Sequence, residues 1–365
     1  LLEHYAWHAV FFVNLPIIVF ALIGGQITLV ESRYEHAPKP DVPGVMLSIV
    51  GLFSLVYAII EAGQSSWTDQ NVLIAFAAAG VFLTAFGVWE YRAPNAMLPL
   101  GLFKNMSFTG ANKALTLVMF AMFGSTFFFS QYFQSVQGYS ALQAGVRMFP
   151  MAIVIMMAAA NSARISARVG IKVSVGVGIL LAAFALFYMS LGLKADTVYW
   201  KVIVGLAIMG SGMGLAMSPA TDSIMGSVPV DKAGVGSAMN DTTRQLGGAL
   251  GVAVLGTIMN NTYLTQIKSL EAKLPPELAA QVYKAVENSI QGAHIAAHMV
   301  PDPAAANLII TSSNNAFVAG MNDAMLIGSA IMAAAALIAF AILPSRVRRP
   351  VEEGGFEAEL VDALL

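Results

Sequence analysis

Long apolar stretches constrain the fold of this chain more than any other feature. Nine of them contain about 20 residues, the length that a helix needs to cross a bilayer. Charged residues make up only 11 % of the 365 residues, against about 25 % in a soluble domain. The sequence therefore predicts an all-α polytopic membrane protein, a helical bundle with about nine transmembrane helices. The predicted spans are 10–30, 43–62, 71–91, 108–133, 146–163, 173–193, 199–220, 245–262 and 322–343.

Composition also argues against several functional classes. The chain has no cysteine, so the sequence offers no disulfide framework and no thiolate metal site. Its formal net charge of −2 gives no indication of nucleic-acid binding. It contains no Walker motif and no nucleophile–base arrangement, so we expect neither an enzyme nor an ATP-driven pump. His294 and His298 are four residues apart, but no third metal ligand accompanies them, and we expect no metal or other cofactor.

Basic residues in the short loops predict the orientation of the spans, because cytoplasmic loops carry an excess of Lys and Arg. If sides alternate from the first span, one side holds nearly all of them. This side is predicted to be cytoplasmic, with the C-terminal tail on it, in the plasma membrane, most simply a bacterial inner membrane. Its residues are Arg33, Lys39, Arg92, Lys104, Arg164, Arg168, Lys172, Lys232, Arg244, Arg346, Arg348 and Arg349. The short loops of the other side hold only Lys194 and Lys201.

Two segments are predicted to lie outside the membrane. Residues 263–321 form a long polar loop on the outer side, in which 278–290 has the pattern of an amphipathic surface helix. Residues 350–365 form an acidic tail.

Polar groups within a span are costly and are therefore functional candidates. Arg147 is predicted either to face a central cavity or to extend to the membrane interface. Glu61 and Asp323 are candidates for proton coupling, with interfacial capping as the alternative. Asp222 follows the seventh span and is predicted to pair with Arg244 or Lys232 as a gate between helix ends.

Aromatic and small residues suggest a substrate face and close helix crossings. Phe123 and Phe127 share a helical face with Ser130 and Gln134, and their rings are suited to flat lipophilic cations, although packing against lipid is the alternative. Gly247 and Gly251 form a GxxxG pair, which allows helices to approach closely.

Four stretches together resemble the fourteen-span drug:proton antiporters of the major facilitator superfamily. WHAVFFVNLPI, with Asn14 and Pro16, is similar to the start of the family's sixth span. The other three are LPLGLFKNMSFTGAN, QYFQSVQGYSALQAGVRMFPMA and the run from Gly210 to Thr257, which contains Asn240, Arg244 and Gln245. ARISARVGIK keeps Arg168 and Gly170 of the family's cytoplasmic loop motif, but Ala163 and Ala167 replace its Gly and Asp.

The resemblance implies a domain organisation. Residues 1–42 would hold the last helix of the N-terminal half and a cytoplasmic loop, and 43–107 the two extra central helices and a linker. Residues 108–344 would form the C-terminal six-helix half, with the outer loop 263–321, and 345–365 the tail. Since the chain begins with Leu1, we expect preceding helices of the same protein to be its partners, together with the lipid bilayer.

The resemblance implies secondary active transport driven by the proton gradient, in which small lipophilic drugs or toxic compounds leave the cell by alternating access. A dedicated exporter of one endogenous metabolite, lipid or siderophore is the first alternative. A membrane scaffold without transport activity is the remote alternative, because the sequence offers only a 59-residue loop and a short tail outside the spans.

Overall fold

The computed structural model describes residues 9–12, 14–28, 41–93, 98, 100–229, 232–271 and 273–345. The chain divides into two compact units, residues 1–40 and 41–365. The first unit contains helices α1 (Ala9–Phe12) and α2 (Asn14–Thr28). All regular elements in the described residues are helical, which confirms the predicted all-α class.

Ten α-helices make up the described part of the second unit. A 3₁₀ turn, Leu100–Lys104, precedes α5, and a π-helical turn, Tyr132–Val136, extends it. The helices are α3 (Val42–Gln64), α4 (Gln70–Arg92), α5 (Met106–Gln131), α6 (Ala141–Val169), α7 (Ile171–Gly192), α8 (Tyr199–Gly226), α9 (Ala233–Glu271), α10 (Pro276–Asn288), α11 (Ile290–Met299) and α12 (Pro303–Ile342).

Seven described helices are long and apolar enough to cross a membrane: α3, α4, α5 with its π-helical turn, α6, α7, α8 and α12. The first predicted span corresponds to the apolar helix α2, which has only 15 described residues. The eighth lies within α9, a 39-residue helix that is not among the seven. Each predicted span therefore falls on a helix, and seven of the nine combine the required length and hydropathy within the described residues.

Residues 263–321, predicted as a long outer loop that contains a surface helix, are mostly helical where the structure describes them. Helix α9 continues to Glu271, and α12 begins at Pro303 rather than near residue 322. The amphipathic segment predicted at 278–290 corresponds to α10. We call residues 263–321 the hood. Its helices contribute buried apolar residues to the core that they share with the rest of the bundle, among them Tyr263, Ile267, Val286, Ile290, Ile309 and Phe317.

Local sequence explains where several of these helices begin. Ser140 and Gln143 form a reciprocal capping box at the start of α6. The Asp302 side chain accepts hydrogen bonds from two backbone N–H groups at the start of α12. Between α6 and α7, Gly170 has a φ of 86°, a conformation that other residues rarely adopt, so the chain turns sharply there.

Helices α5 and α9 cross closely because small residues line their contact. A Cβ atom at Gly247 would collide with the carbonyl oxygen of Thr116, and one at Gly251 with that of Phe120. The predicted GxxxG pair therefore lies at a helix crossing. Glycines also line the contacts of α8 with its neighbours: Gly214 faces α6, and Gly212 faces Gly178 of α7.

The two ends of the bundle differ in the loops that they bring together. At one end, the backbone N–H of Ile171 donates to the carbonyl of Ser345 at 3.0 Å. We call this the basic end, because Lys104, Arg168, Lys172 and Lys232 lie in or beside its described loops. At the opposite end, the side chain of Asn322 donates to the carbonyl of Leu193 at 3.0 Å, next to the hood.

Candidate functional site

A polar cluster lies between α5, α8 and α9 near the basic end. The hydroxyl of Thr243 donates to Oδ1 of Asn112 at 2.7 Å, and both side chains are buried. Nη2 of Arg244 donates to Oγ1 of Thr221 at 3.0 Å, and Thr221 lies 3.4 Å from Oδ1 of Asn240. Two of the predicted gating residues, Asn240 and Arg244, thus meet through a threonine that sequence reasoning did not single out.

The predicted pairing of Asp222 is not formed. Arg244 contacts Thr221, the preceding residue, instead of Asp222. Asp222 is exposed, and neither Arg244 nor Lys232 forms an ion pair with it in the part of the chain that the structure describes. The reason is geometric: consecutive helical residues point about 100° apart, so only one of the two can face α9.

The predicted aromatic face borders a cavity of about 260 Å³, which lies between the C-terminal part of α5, α9 and the hood. We call this the Phe127 cavity. Phe127 lines it, whereas Phe123 precedes Phe127 by about one turn of α5 and lies against Gly248 of α9. Its lining residues are Phe127, Gln131, Gly256, Met259, Asn260, Tyr263, Asn288, Ser289, Ile290, Gln291 and Phe317.

The lining of the Phe127 cavity combines rings with amides and carries no ionisable acid or base other than the tyrosine hydroxyl. Amides are supplied by α5, α9 and the junction of α10 with α11, through Gln131, Asn260 and Gln291. The Tyr263 hydroxyl is engaged, since it donates to the carbonyl of Val286 at 2.7 Å. Such a cavity can stack an aromatic group and hydrogen-bond its polar substituents. Gln134, predicted to belong to the same face, instead donates to Ser130 at 2.9 Å.

Arg147 lies between two tyrosine rings near the hood end. Its guanidinium carbon is 3.6 Å from the centre of the Tyr139 ring and 5.8 Å from that of Tyr199. The Tyr199 hydroxyl donates to the Arg147 carbonyl at 3.0 Å, and Nη1 donates to the carbonyl of Gln143. These contacts join the start of α6 to the start of α8 and leave the charge on an aromatic face rather than beside a carboxylate.

The two candidate acids have different surroundings. Oδ2 of Asp323 accepts a hydrogen bond of 2.8 Å from Thr262, which links α12 to α9. Glu61 lies in the last turn of α3, where its carbonyl accepts bonds from the backbone N–H and the hydroxyl of Ser65.

The remaining family-motif residues lie in the following elements. Asn14 and Pro16 are in α2, within the separate first unit. Arg168 is exposed at the end of α6, and Gln245 is exposed on α9. Gly170 forms the α6–α7 turn described above.

The histidine pair lies in α11. His294 Nε2 lies 2.9 Å from Oδ1 of Asn314, which joins α11 to α12 within the hood. A search of the described residues finds no group of three or more potential metal ligands.

Sequence reasoning missed a buried acid, Glu90. It lies near the end of α4, is only 4 % exposed, and its Oε2 accepts a hydrogen bond of 2.9 Å from the backbone N–H of Leu98. Because residue 90 falls inside a predicted span, the rule that intramembrane acids are candidates would have found it. The same rule would have found Asn112, because its polar amide lies inside the fourth predicted span.

Membrane helices with close glycine crossings, polar clusters at helix ends and an aromatic cavity define a polytopic helical bundle of the transporter type. Residues 1–252 match the family model of the Major Facilitator Superfamily. The chain belongs to this superfamily, and it is accordingly a transporter relative and not an enzyme.

Its relatives include exporters of antibiotics. The chain is 33 % identical over 347 residues to the tetracenomycin C resistance and export protein of Streptomyces glaucescens, covering 93 % of this chain and 63 % of that protein. It is 34 % identical over 260 residues to the methylenomycin A resistance protein of Streptomyces coelicolor, covering 71 % and 54 %. It is 31 % identical over 338 residues to the multidrug efflux pump LfrA of Mycolicibacterium smegmatis, covering 93 % and 66 %.

These relatives confirm the resemblance to drug-resistance transporters of this superfamily. The chain spans between half and two thirds of the length of each of them. It is thus a multi-pass membrane protein related to drug and antibiotic efflux pumps.

Proposed function

We propose that the protein serves in proton-coupled efflux of lipophilic drugs or toxic compounds by alternating access. The Phe127 cavity is the observation that carries the proposal. It places an exposed ring among several amides, at the junction of two membrane helices and the hood. The relatives named for multidrug efflux and for antibiotic export support the same class of cargo.

The polar clusters supply elements that alternating access requires. Close crossings at Gly247 and Gly251 let α5 and α9 shift against each other with little steric resistance. We assign the cluster around Arg244 to the gate at the basic end, which faces the cytoplasm in the orientation proposed from the loop charges. Asp323 and Glu61 are the acids in this chain that we assign to proton coupling.

The division of the chain follows the same proposal. Residues 108–344 would form the C-terminal half of the transporter, and 43–107 the central pair. Preceding helices of the same protein would complete the cavity from the other side, with the substrate bound between the two halves.

Transport by the complete protein tests the proposal. In energised everted vesicles, addition of a substrate should release protons, and accumulation of an aromatic dye should depend on the proton gradient. Phe127→Ala should lower the transport rate several-fold, whereas Phe127→Tyr keeps the ring and should retain most of it. Phe184→Ala is the control, because Phe184 is an equally exposed phenylalanine on α7, away from the cavity.

A dedicated exporter is the second candidate, and it is favoured by the relatives named for a single antibiotic. Profiling a chemically diverse panel distinguishes the two: broad efflux supports the multidrug proposal, and efflux of one scaffold supports the alternative. Neither efflux nor proton release with the whole panel would contradict both.

A further inference from the structure

A second cavity, of about 500 Å³, lies between the α7–α8 loop and α12. It shares no lining residue with the Phe127 cavity. Its apolar surface comes from Leu193, Val318 and Ala319, and its polar surface includes Lys194, Asp196 and Asn322. A concave site with an apolar base and a few convergent polar groups is typical of a binding site for a small molecule.

The backbone of the α7–α8 loop is fixed from three directions. The Tyr132 hydroxyl donates to the Lys194 carbonyl at 2.7 Å, and the Gln137 amide donates to the Thr197 carbonyl at 2.8 Å. From α12, the Asn322 amide donates to the Leu193 carbonyl. The loop is therefore ordered before any ligand arrives, which reduces the entropic cost of binding.

Two charged side chains at this cavity have no ionic partner among the described residues. Lys194 and Asp196 are two residues apart, are both exposed and both line the cavity. Neither forms an ion pair within the described part of the chain.

We propose that this cavity binds a zwitterionic group in which a primary ammonium stands next to an anion, as in phosphoethanolamine. The ammonium donates to the exposed Asp196 carboxylate, and the phosphate accepts from the exposed Lys194 ammonium. The cavity lies at the ends of α7 and α8, where a lipid headgroup of the adjacent leaflet and a dissolved zwitterion both have access. The proposal stands independently of the transported substrate.

Native mass spectrometry of the purified protein tests the proposal with defined lipids. After delipidation, we expect phosphatidylethanolamine to bind more tightly than phosphatidylcholine, whose methylated ammonium has no hydrogen-bond donor. It should also bind more tightly than phosphatidylglycerol, which has no ammonium. Equal binding of the three lipids, or binding of none of them and of no free phosphoethanolamine, would overturn the proposal.

Two loop variants assign the contacts. Asp196→Asn should weaken phosphatidylethanolamine binding about threefold to tenfold and remove the preference over phosphatidylcholine. Lys194→Met should weaken binding of all three lipids. Lys201→Met is the matched control, because Lys201 is an exposed lysine on α8 that does not line the cavity, and it should change nothing. Unchanged binding in both loop variants contradicts the assignment.

Free phosphoethanolamine identifies the source of the ligand. If it displaces the bound lipid at millimolar concentration, the headgroup alone is sufficient and a dissolved zwitterion is a competent ligand. If the lipid stays bound, its acyl chains are required and the ligand is the lipid. Both results support the site, provided that the response disappears in Asp196→Asn.

Discussion

Thr243 and Asn112 join α9 to α5 through a buried hydrogen bond of 2.7 Å. Thr243→Val keeps the shape of the side chain but removes the donor, so Oδ1 of Asn112 loses its partner inside the bundle. We expect the free energy of unfolding to fall by about 1 kcal/mol, in the range of interhelical hydrogen bonds in membranes. Unfolding of the purified protein in mixed micelles measures the change.

Thr243→Ser serves as the control for this prediction, because it retains the hydroxyl. It should unfold closer to the wild-type protein than Thr243→Val does. If both variants unfold at the same denaturant concentration, the hydroxyl makes no net contribution.

Arg147 and Tyr139 allow a second prediction at the residue scale. The guanidinium carbon lies 3.6 Å from the ring centre, within the range of a cation–π interaction. A double-mutant cycle with Arg147→Met and Tyr139→Leu should give a coupling energy of about 0.5–1 kcal/mol in favour of the pair. Tyr139→Phe keeps the ring and should preserve most of this coupling; a coupling energy of zero would show that the contact is not stabilising.

At the scale of elements, the crossing of α5 and α9 depends on the absence of side chains. Gly251→Ala places a methyl group against the carbonyl oxygen of Phe120, so the two helices have to separate. We expect the free energy of unfolding to fall by about 1–3 kcal/mol, as in other overpacked contacts, despite the higher helix propensity of alanine. Thermal unfolding of the purified protein measures it.

Gly234→Ala is the matched control on the same helix. Among the described residues, an added Cβ there meets no heavy atom within 4 Å beyond its chain neighbours and the backbone of its own helix. Its effect should be neutral or slightly stabilising, because alanine favours helix. Equal melting temperatures for the two variants would contradict the close crossing.

The helices show how far the sequence alone was informative. Apolar stretches of the right length located a helix for each predicted span, since an isolated segment in lipid has to satisfy its own backbone. Apolar length does not mark where a helix ends in water, however. Helices α9 and α12 continue beyond the predicted spans, and their extensions pack within the hood, which only the tertiary structure reveals.

The candidate site was predicted less completely than the fold. Helical spacing placed Phe127 on the helix face that borders the cavity, and the family resemblance singled out Asn240 and Arg244. Neither signal could locate the partner of Asn240 and Arg244, because Thr221 comes from another helix, α8, and its position depends on the rotation of that helix. The hood residues of the Phe127 cavity, such as Gln291, were hidden by the prediction of a loop.

At the scale of the whole molecule, α5 connects two sites at different depths. Asn112 belongs to the polar cluster near the basic end, and Phe127 belongs to the cavity beneath the hood. Their separation of 15 residues corresponds to about 22 Å along a helix. In the transport cycle that we propose, a movement of α5 against α9 would act on both, so that one end closes as the other opens.

This cycle requires the orientation deduced from the loop charges, which cysteine labelling tests directly. The chain contains no cysteine, so each single substitution gives a signal without background from the chain itself. Thr68→Cys, in the α3–α4 loop, and Pro301→Cys, before α12, should react with a membrane-impermeant maleimide in intact cells. Lys104→Cys and Lys232→Cys, both exposed at the basic end, should react only after permeabilisation. The reverse pattern would place the basic end outside the cell and contradict the proposed direction of transport.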